Sequence, residues 1–545
     1  MFILMFNLIK NFFSSKSNPE LISWKTDSSI YHYLLSRITT EGKLNESASD
    51  LPDEKPFDEE GNNIRFAPGL FDAISGGGDT AEADVKIIAL TKLLKDIAHT
   101  GNPVSQAEFY RRVVSSDAVI SFIDTLLEKA MDSKLPVKPY LLGFGEDLAF
   151  HTAHRNSVKI GLALLGMCGS KEEVERIKIL ALHDEFTIFA VVALFNLSDH
   201  LPQGLWELAK KVDGWGRIQI IWRWADLDLS EDMKEWLLLE GYKNSIMYEY
   251  LAYTAAVNGD LHLKIQCDTI SSDLYNAAGE IIDALIAGGP AEDISDYAYA
   301  ALTVENFVKH SRKHAVSLSH YLTLTRIKEF LNDLQQDLSP EHLKNGWTQD
   351  EISNCLIDLV SVINSSDWIS LAQEALKSTN NVTYWNGKQA ARSLGINLWP
   401  TVWSRLKHNP ADSSNWFDAA KEAGAEHVNQ LIQMAIESIP LKELATGPND
   451  SLGLGPTYIK YQSLDYVIPF LENYPGKGEE IILTALNSPV TRNRNLAIKV
   501  LAKWDRSTWT AKIIDQLKLL RNIEPNESTR TNVHRLLNGQ ELDCQ

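Results

Sequence analysis

HRNSVKIGLALLGM (His154–Met167), DEFTIFAVVALFNL (Asp184–Leu197), GWGRIQIIWRWADL (Gly214–Leu227) and NSIMYEYLAYTAAV (Asn244–Val257) follow one another at 30-residue intervals without a gap. Their fifth positions are Val158, Ile188, Ile218 and Tyr248, and their ninth are Leu162, Val192, Trp222 and Ala252. Residues four apart lie above one another on one face of a helix. Between them run Lys171–His183, Leu201–Asp213 and Glu231–Lys243, with Arg176, Trp206 and Trp236 in matching places. The pattern predicts helical hairpins with a period near 30 residues. A hairpin of this size cannot bury its own apolar face, so copies must stack into one continuous core. On this reading Val158, Leu162, Ile188, Val192, Ile218 and Trp222 are buried between layers.

The rest of the chain agrees with an all-α solenoid. Period-two alternation is nearly absent, whereas segments of period 3.6 recur throughout. A chain of 545 residues is long for one globular core but suits an array whose core grows by addition. Three regions are expected. Residues 1–80 hold one helix near Ser28–Ile38, an acidic run Asp50–Glu60, and a glycine-rich stretch Ser75–Asp79. Residues 81–338 form the helical-repeat block. Residues 339–545 form a second helical block, opening with Ser339-Pro340, a helix-start pair, and continuing through Trp347–Asn364, Trp368–Ser378, Asn386–Gly395 and Pro489–Trp504.

Charge and cysteine usage narrow the function. The net charge is −20, with 72 acidic against 52 basic residues and no long Lys/Arg run, which argues against nucleic acid and leaves a basic protein as a suitable ligand. Cys168, Cys267, Cys355 and Cys544 form no CxxC pair, so neither a disulfide framework nor a zinc knuckle is indicated. Met1–Phe13 is apolar but too short to span a bilayer, and it lacks the flanks of a signal peptide. A cytoplasmic protein without an integral membrane span is expected.

Three stretches carry a family resemblance: NSPVTRNRNLAIKVLAKW (Asn487–Trp504), IRFAPGLFDAI (Ile64–Ile74) and TGPNDSLGLG (Thr446–Gly455). Together they resemble an uncharacterised group of bacterial HEAT-like helical-repeat proteins over most of the chain. The first looks like the second helix of a HEAT-like unit, with Leu496, Ala497, Val500 and Leu501 facing inward. Some members of the group are labelled limonene hydroxylase, which implies an oxygenase.

No residues that would bear that chemistry stand out. There is no haem-ligand cysteine context and no flavin-type GxGxxG after a strand. Gly76–Gly78 lacks a following Lys-Ser or Lys-Thr and reads as a connector, and Gly453 and Gly455 read as loop residues needing positive φ. Asp147, His151 and His154, and the pair His310 and His314, have helical spacings but read as structural or solvated residues rather than metal ligands. No catalytic residue, metal site or cofactor is therefore assigned.

The 14 tryptophans cluster, and two of them, Trp215 and Trp224, fall off the apolar stripe set by Ile218 and Trp222. Exposed Trp beside Arg is a frequent interface anchor. Trp215, Arg217, Arg223 and Trp224 are thus the expected partner-binding patch, with Arg492 and Arg494 as counterparts in the second block. The function expected is a non-catalytic protein-interaction scaffold, the alternatives being a toxin-neutralising or regulatory binder and the oxygenase that the family label implies.

Overall fold

The computed structural model describes residues 24–26, 28–54, 62, 64–74, 81–116 and 118–543. The apolar Met1–Phe13 stretch, most of the acidic run, the Ser75–Asp79 glycines and Cys544 lie outside the described residues. Within them the chain is all-helical. Only two isolated bridges occur, Ile38 with Leu44 and Ser451 with Val490, and there is no strand. No single described helix is long and apolar enough to cross a membrane.

Packing divides the chain into two units. One comprises Met1–Glu54, Phe66–His310 and Asp337–Glu351, and the other Lys55–Arg65, Ser311–Gln336 and Ile352–Gln545. In the first, Arg155–Cys168, Asp184–Leu197, Gly214–Trp224, Glu249–Asn258 and Ser272–Ala287 pack in a row, each on the next. Val174–Ala181 and Leu201–Ala209 lie beside this row, each packed on the helix that follows it in sequence. In the second unit, Leu464–Phe470, Thr491–Lys503 and Glu527–Leu537 form a similar row, flanked by Glu479–Leu486 and Ala511–Ile523.

Helix starts follow local chemistry. Ser230, Ser271, Asn380, Thr510 and Asn526 each accept a hydrogen bond from the backbone N–H three residues on, satisfying an amide with no partner inside the helix. Ser339 does the same for His342, with Pro340 in the first turn as its sequence indicates. In the LGLGP loop Gly453 and Gly455 adopt φ of +71° and +89°, values that side chains disfavour.

Burial departs from the expected stripe. Val158, Leu162 and Ile218 are fully buried, but Ile188 and Trp222 are only half-buried and Val192 is exposed. The Asp184–Leu197 helix is enclosed by the helices before and after it and by Val174–Ala181. Phe186, Phe189, Ala190, Val191, Ala193, Leu194 and Leu197 are all buried, and the strip left to solvent runs through Val192, Phe195 and Asn196. A helix with three neighbours has no single apolar face, so a stripe read from one helix does not transfer to the next.

Several polar links join residues 30 apart. Arg176 bonds Glu146 at 3.1 Å, Asn196 bonds the Gly166 carbonyl at 3.1 Å, and Arg392 bonds Glu422 at 2.8 Å. The most enclosed is Arg494, whose guanidinium donates to both oxygens of Glu524 and to the carbonyls of Ser488 and Pro489, with neither charged side chain exposed at all. Removing one member of such a pair strands the other charge in the core, a loss of roughly 3–5 kcal/mol. Arg494→Leu is therefore expected to lower unfolding stability by about that amount in urea titration followed by circular dichroism. Arg494→Leu combined with Glu524→Leu is expected to recover much of it.

Candidate functional site

The aromatic and guanidinium patch expected around Gly214–Trp224 is not a surface. Trp215 is 4% exposed and Trp224 is fully buried, its indole N–H donating to the Pro202 carbonyl at 2.8 Å. Both pack edge-on against other rings, Trp215 against Tyr250 and Trp224 against Trp236. They leave the Ile218 stripe because this helix too is enclosed on more than one side. Arg223 spends its guanidinium on the Gln219 carbonyl and side chain, 3.0 and 2.6 Å away. Arg217 donates to the carbonyls of Val212 and Lys243 at 2.8 and 2.6 Å. In the second unit Arg492 is exposed and bidentate to Asp465, while Arg494 is the buried residue described above. Trp215, Trp224 and Arg494 are thus buried, and Arg217, Arg223 and Arg492 are engaged by groups within their own unit.

The histidine spacings behave as structure. His151 and His154 sit at the end of one helix and the start of the next, and Asp147 is paired with Lys25. His310 bonds the Ile265 carbonyl at 3.0 Å. Among the described residues no group of three His, Cys, Asp or Glu is placed to hold a metal ion. Cys168, Cys267 and Cys355 are unbridged.

What the structure does concentrate is a buried ionic cluster at the start of the Asp184–Leu197 helix. Lys159, on the second turn of Arg155–Cys168, is 5% exposed and donates to Asp72 and to Glu185, both at 2.6 Å. Glu185 also accepts the Gly69 N–H at 3.1 Å and faces the Arg155 guanidinium at 3.8 Å. Arg155 in turn holds Asp53 and Glu54. Gly69, at φ +76°, has no room for a side chain, since a Cβ would come within 2.5 Å of the Asp184 carbonyl oxygen. The APGLFD motif thus docks an N-terminal segment onto the helix row, with its aspartate on Lys159 and its glycine against Asp184.

One lysine serves two carboxylates, and the electrostatics show which is short of charge. Burial pushes Asp72 above the ordinary carboxylate range despite Lys159. Burial acts on Glu185 as well, but Lys159, Arg155 and the Gly69 amide together hold it below that range. Beside them, burial pulls the His183 imidazole down to about 4. Its Nδ1 accepts the Glu185 N–H at 3.2 Å, which leaves the proton on Nε2. Burial, with Asp213 nearby, pushes Asp184 up to about 7 against the pull of the Gly216 and Trp215 amides.

Two open pockets lie along the same unit. One, of about 540 Å³, is lined by residues that include Lys43 and Lys211 from loops and Arg217 from the Gly214–Trp224 helix. The other, of about 490 Å³, is lined by Asp232, Glu235, Glu240, Asp273 and Glu280. The second unit has a pocket of about 590 Å³ with Val316, Leu318, Leu371, Ala375, Thr383 and Asn386 in its wall. No protein-family model, curated protein or solved structure matches this chain.

Asp184 and His183 make opposing contributions to the pH dependence of stability. Folded Asp184 keeps its proton up to about pH 7 while the unfolded group loses it near 3.8, so its contribution, complete at acid pH, is lost as pH rises toward 7. Folded His183 stays neutral down to about pH 4 while the unfolded ring protonates near 6.5, so its contribution grows as pH rises through that interval. Asp184→Asn removes only the first. Relative to the parent chain the variant is expected to gain stability between about pH 4 and 7, by on the order of a few kcal/mol, in urea titrations at stepped pH. A difference that does not change with pH would mean that Asp184 is ionised in the fold.

Proposed function

We propose that the chain is a protein-interaction scaffold built of HEAT-like helical hairpins with a period near 30 residues. Helices opening at Arg155, Asp184 and Gly214, and polar links between residues 30 apart, support the repeat. Arrays of this kind present long faces whose affinity comes from many contacts, which suits a protein ligand.

The observation that carries the interaction reading is the apolar surface left uncovered in the second unit. Trp385 is 51% exposed, the only described tryptophan in the exposed class, and Val382 on the same helix is also exposed. Val316 and Leu371, in the wall of the pocket that Thr383 and Asn386 of that helix also line, are exposed too. Exposed large apolar groups near one another mark interaction sites more often than scattered ones do. An excess of 20 negative charges favours a partner whose docking face is basic around an apolar anchor.

The test separates folding from binding. Trp385→Ala is expected to leave the melting temperature nearly unchanged, since surface substitutions typically shift stability by about 0.5 kcal/mol or less. Leu371→Asp is expected to behave in the same way. Together they are expected to weaken binding of a partner captured by the tagged parent chain by about 2 kcal/mol or more, measured on the purified pair. Unchanged affinity in the double variant would place the binding face elsewhere.

A further inference from the structure

The pocket formed where the 39–44 turn meets the loops at 210–213 and 243–245 gathers Lys43, Lys210, Lys211, Arg217 and Lys243 around a single carboxylate, Asp213. We propose that this pocket is a binding site for a compact, multiply charged phosphate anion of pyrophosphate size. The proposal is independent of the interaction surface on the second unit.

In a chain with 72 acidic and 52 basic residues, a lysine meets a carboxylate more readily than another lysine. Yet Lys43, Lys210 and Lys211 form no ion pair among the described residues, and only Lys243 has one, with Glu240 at 3.2 Å. The neighbouring pocket, which Lys243 also borders, holds the opposite charge in Asp232, Glu235, Asp273 and Glu280. Like charges held together repel, and an arrangement that keeps this repulsion in place focuses a positive potential in the pocket.

The lysines are also held in position by their neighbours. The 39–44 turn is closed by hydrogen bonds between Thr39 and the Lys43 carbonyl and between Gly42 and the Thr39 carbonyl, at 2.8 and 2.9 Å. At φ +76° Gly42 lies against the Lys211 side chain, whose ammonium would be 3.2 Å from a Cβ placed there. The turn thereby brings Lys43 beside Lys211, 168 positions further along the chain. The Lys210 ammonium lies over the Trp206 ring at 3.2 Å and 6.0 Å from the Trp236 ring, held at the edge of the pocket without being neutralised.

Arg217 forms the floor. Its Nε and Nη1 are held by backbone carbonyls, while Nη2 makes no hydrogen bond among the described residues. Burial pulls this guanidinium below its ordinary pKa although Asp213, Glu240 and Asp184 act to raise it, so the carboxylates within reach do not fully offset its desolvation. An anion accepting from Nη2 and from the lysines would add to that offset. The volume of about 540 Å³ matches a small ligand, and the acidic remainder of the chain opposes a nucleic-acid strand.

The test is calorimetric titration of the full-length protein with pyrophosphate, at low and constant ionic strength, with citrate as a second arm. Saturable one-to-one binding of pyrophosphate is expected, with citrate weaker. Lys43→Glu with Lys211→Glu, both on exposed residues, is expected to lower pyrophosphate affinity at least about tenfold, and the corresponding Gln pair by less. Lys499→Glu with Lys503→Glu applies the same change of net charge at exposed positions elsewhere and is expected to alter affinity by no more than about twofold. The absence of saturable binding, or an equal loss in both Glu pairs, would overturn the proposal. Citrate binding as tightly as pyrophosphate would overturn the assignment to phosphate.

Discussion

The buried ammonium of Lys159 is the constraint around which the first unit is organised. Taking a lysine out of water is costly unless its donors are met, and here two carboxylates from different parts of the chain meet them. Asp72 comes from the N-terminal segment and Glu185 from the next helix of the row. Neither can move away without leaving charge uncompensated in the core. The residues around them follow from that requirement: a glycine at position 69, because the segment runs against the Asp184 backbone, and an arginine at 155, which faces Glu185 and pairs with Asp53 and Glu54. The IRFAPGLFDAI stretch therefore has a structural reason for its residue types. Its glycine permits the close approach to Asp184, and its aspartate completes the lysine's coordination.

The second unit uses the same device with other residues. Lys388 is buried against Asp418, and Arg494 against Glu524, each pair spanning 30 positions. Such pairs add little net stability compared with well-packed apolar substitutes, because desolvation cancels much of the attraction. Their contribution is selectivity. An apolar helix packed between two others can slide or rotate by a residue and still bury a similar area. A buried cation with one matching carboxylate cannot, so the pair fixes which residue faces which.

How much of this was legible in the sequence depends on what sets each feature. Helix positions were readable because caps and periodicity are local: the stretches opening at Asp184 and Gly214, and the Ser339-Pro340 start, coincide with helices. The burial pattern within each helix was not, because it depends on how many neighbours enclose it. Val192 sits at the same place in its stretch as Leu162 but faces solvent, and Trp224 looked off-stripe yet is enclosed. The ionic cluster was beyond reach for a different reason. Asp72, Lys159 and Glu185 are separated by 87 and 26 positions, and none belongs to a spacing motif. The one available signal was a lysine in the middle of the otherwise apolar HRNSVKIGLALLGM, a charge that a buried helix accepts only with partners.

The tryptophans make the same point about context. Trp222 and Trp224 are two positions apart on one helix, and both use their indole N–H on a backbone carbonyl, of Tyr250 and Pro202 respectively. A tryptophan whose N–H is satisfied inside the chain has little left to offer a partner beyond its area, and that area is already spent on neighbouring rings. Trp385 differs in its surroundings, not in its chemistry. It lies on a helix whose buried face is carried by Tyr384, Gly387, Lys388, Ala390 and Ala391, so the indole is directed away from the core. Aromatic clustering in a sequence therefore does not separate enclosed rings from exposed ones, and it is the neighbours of each helix that decide.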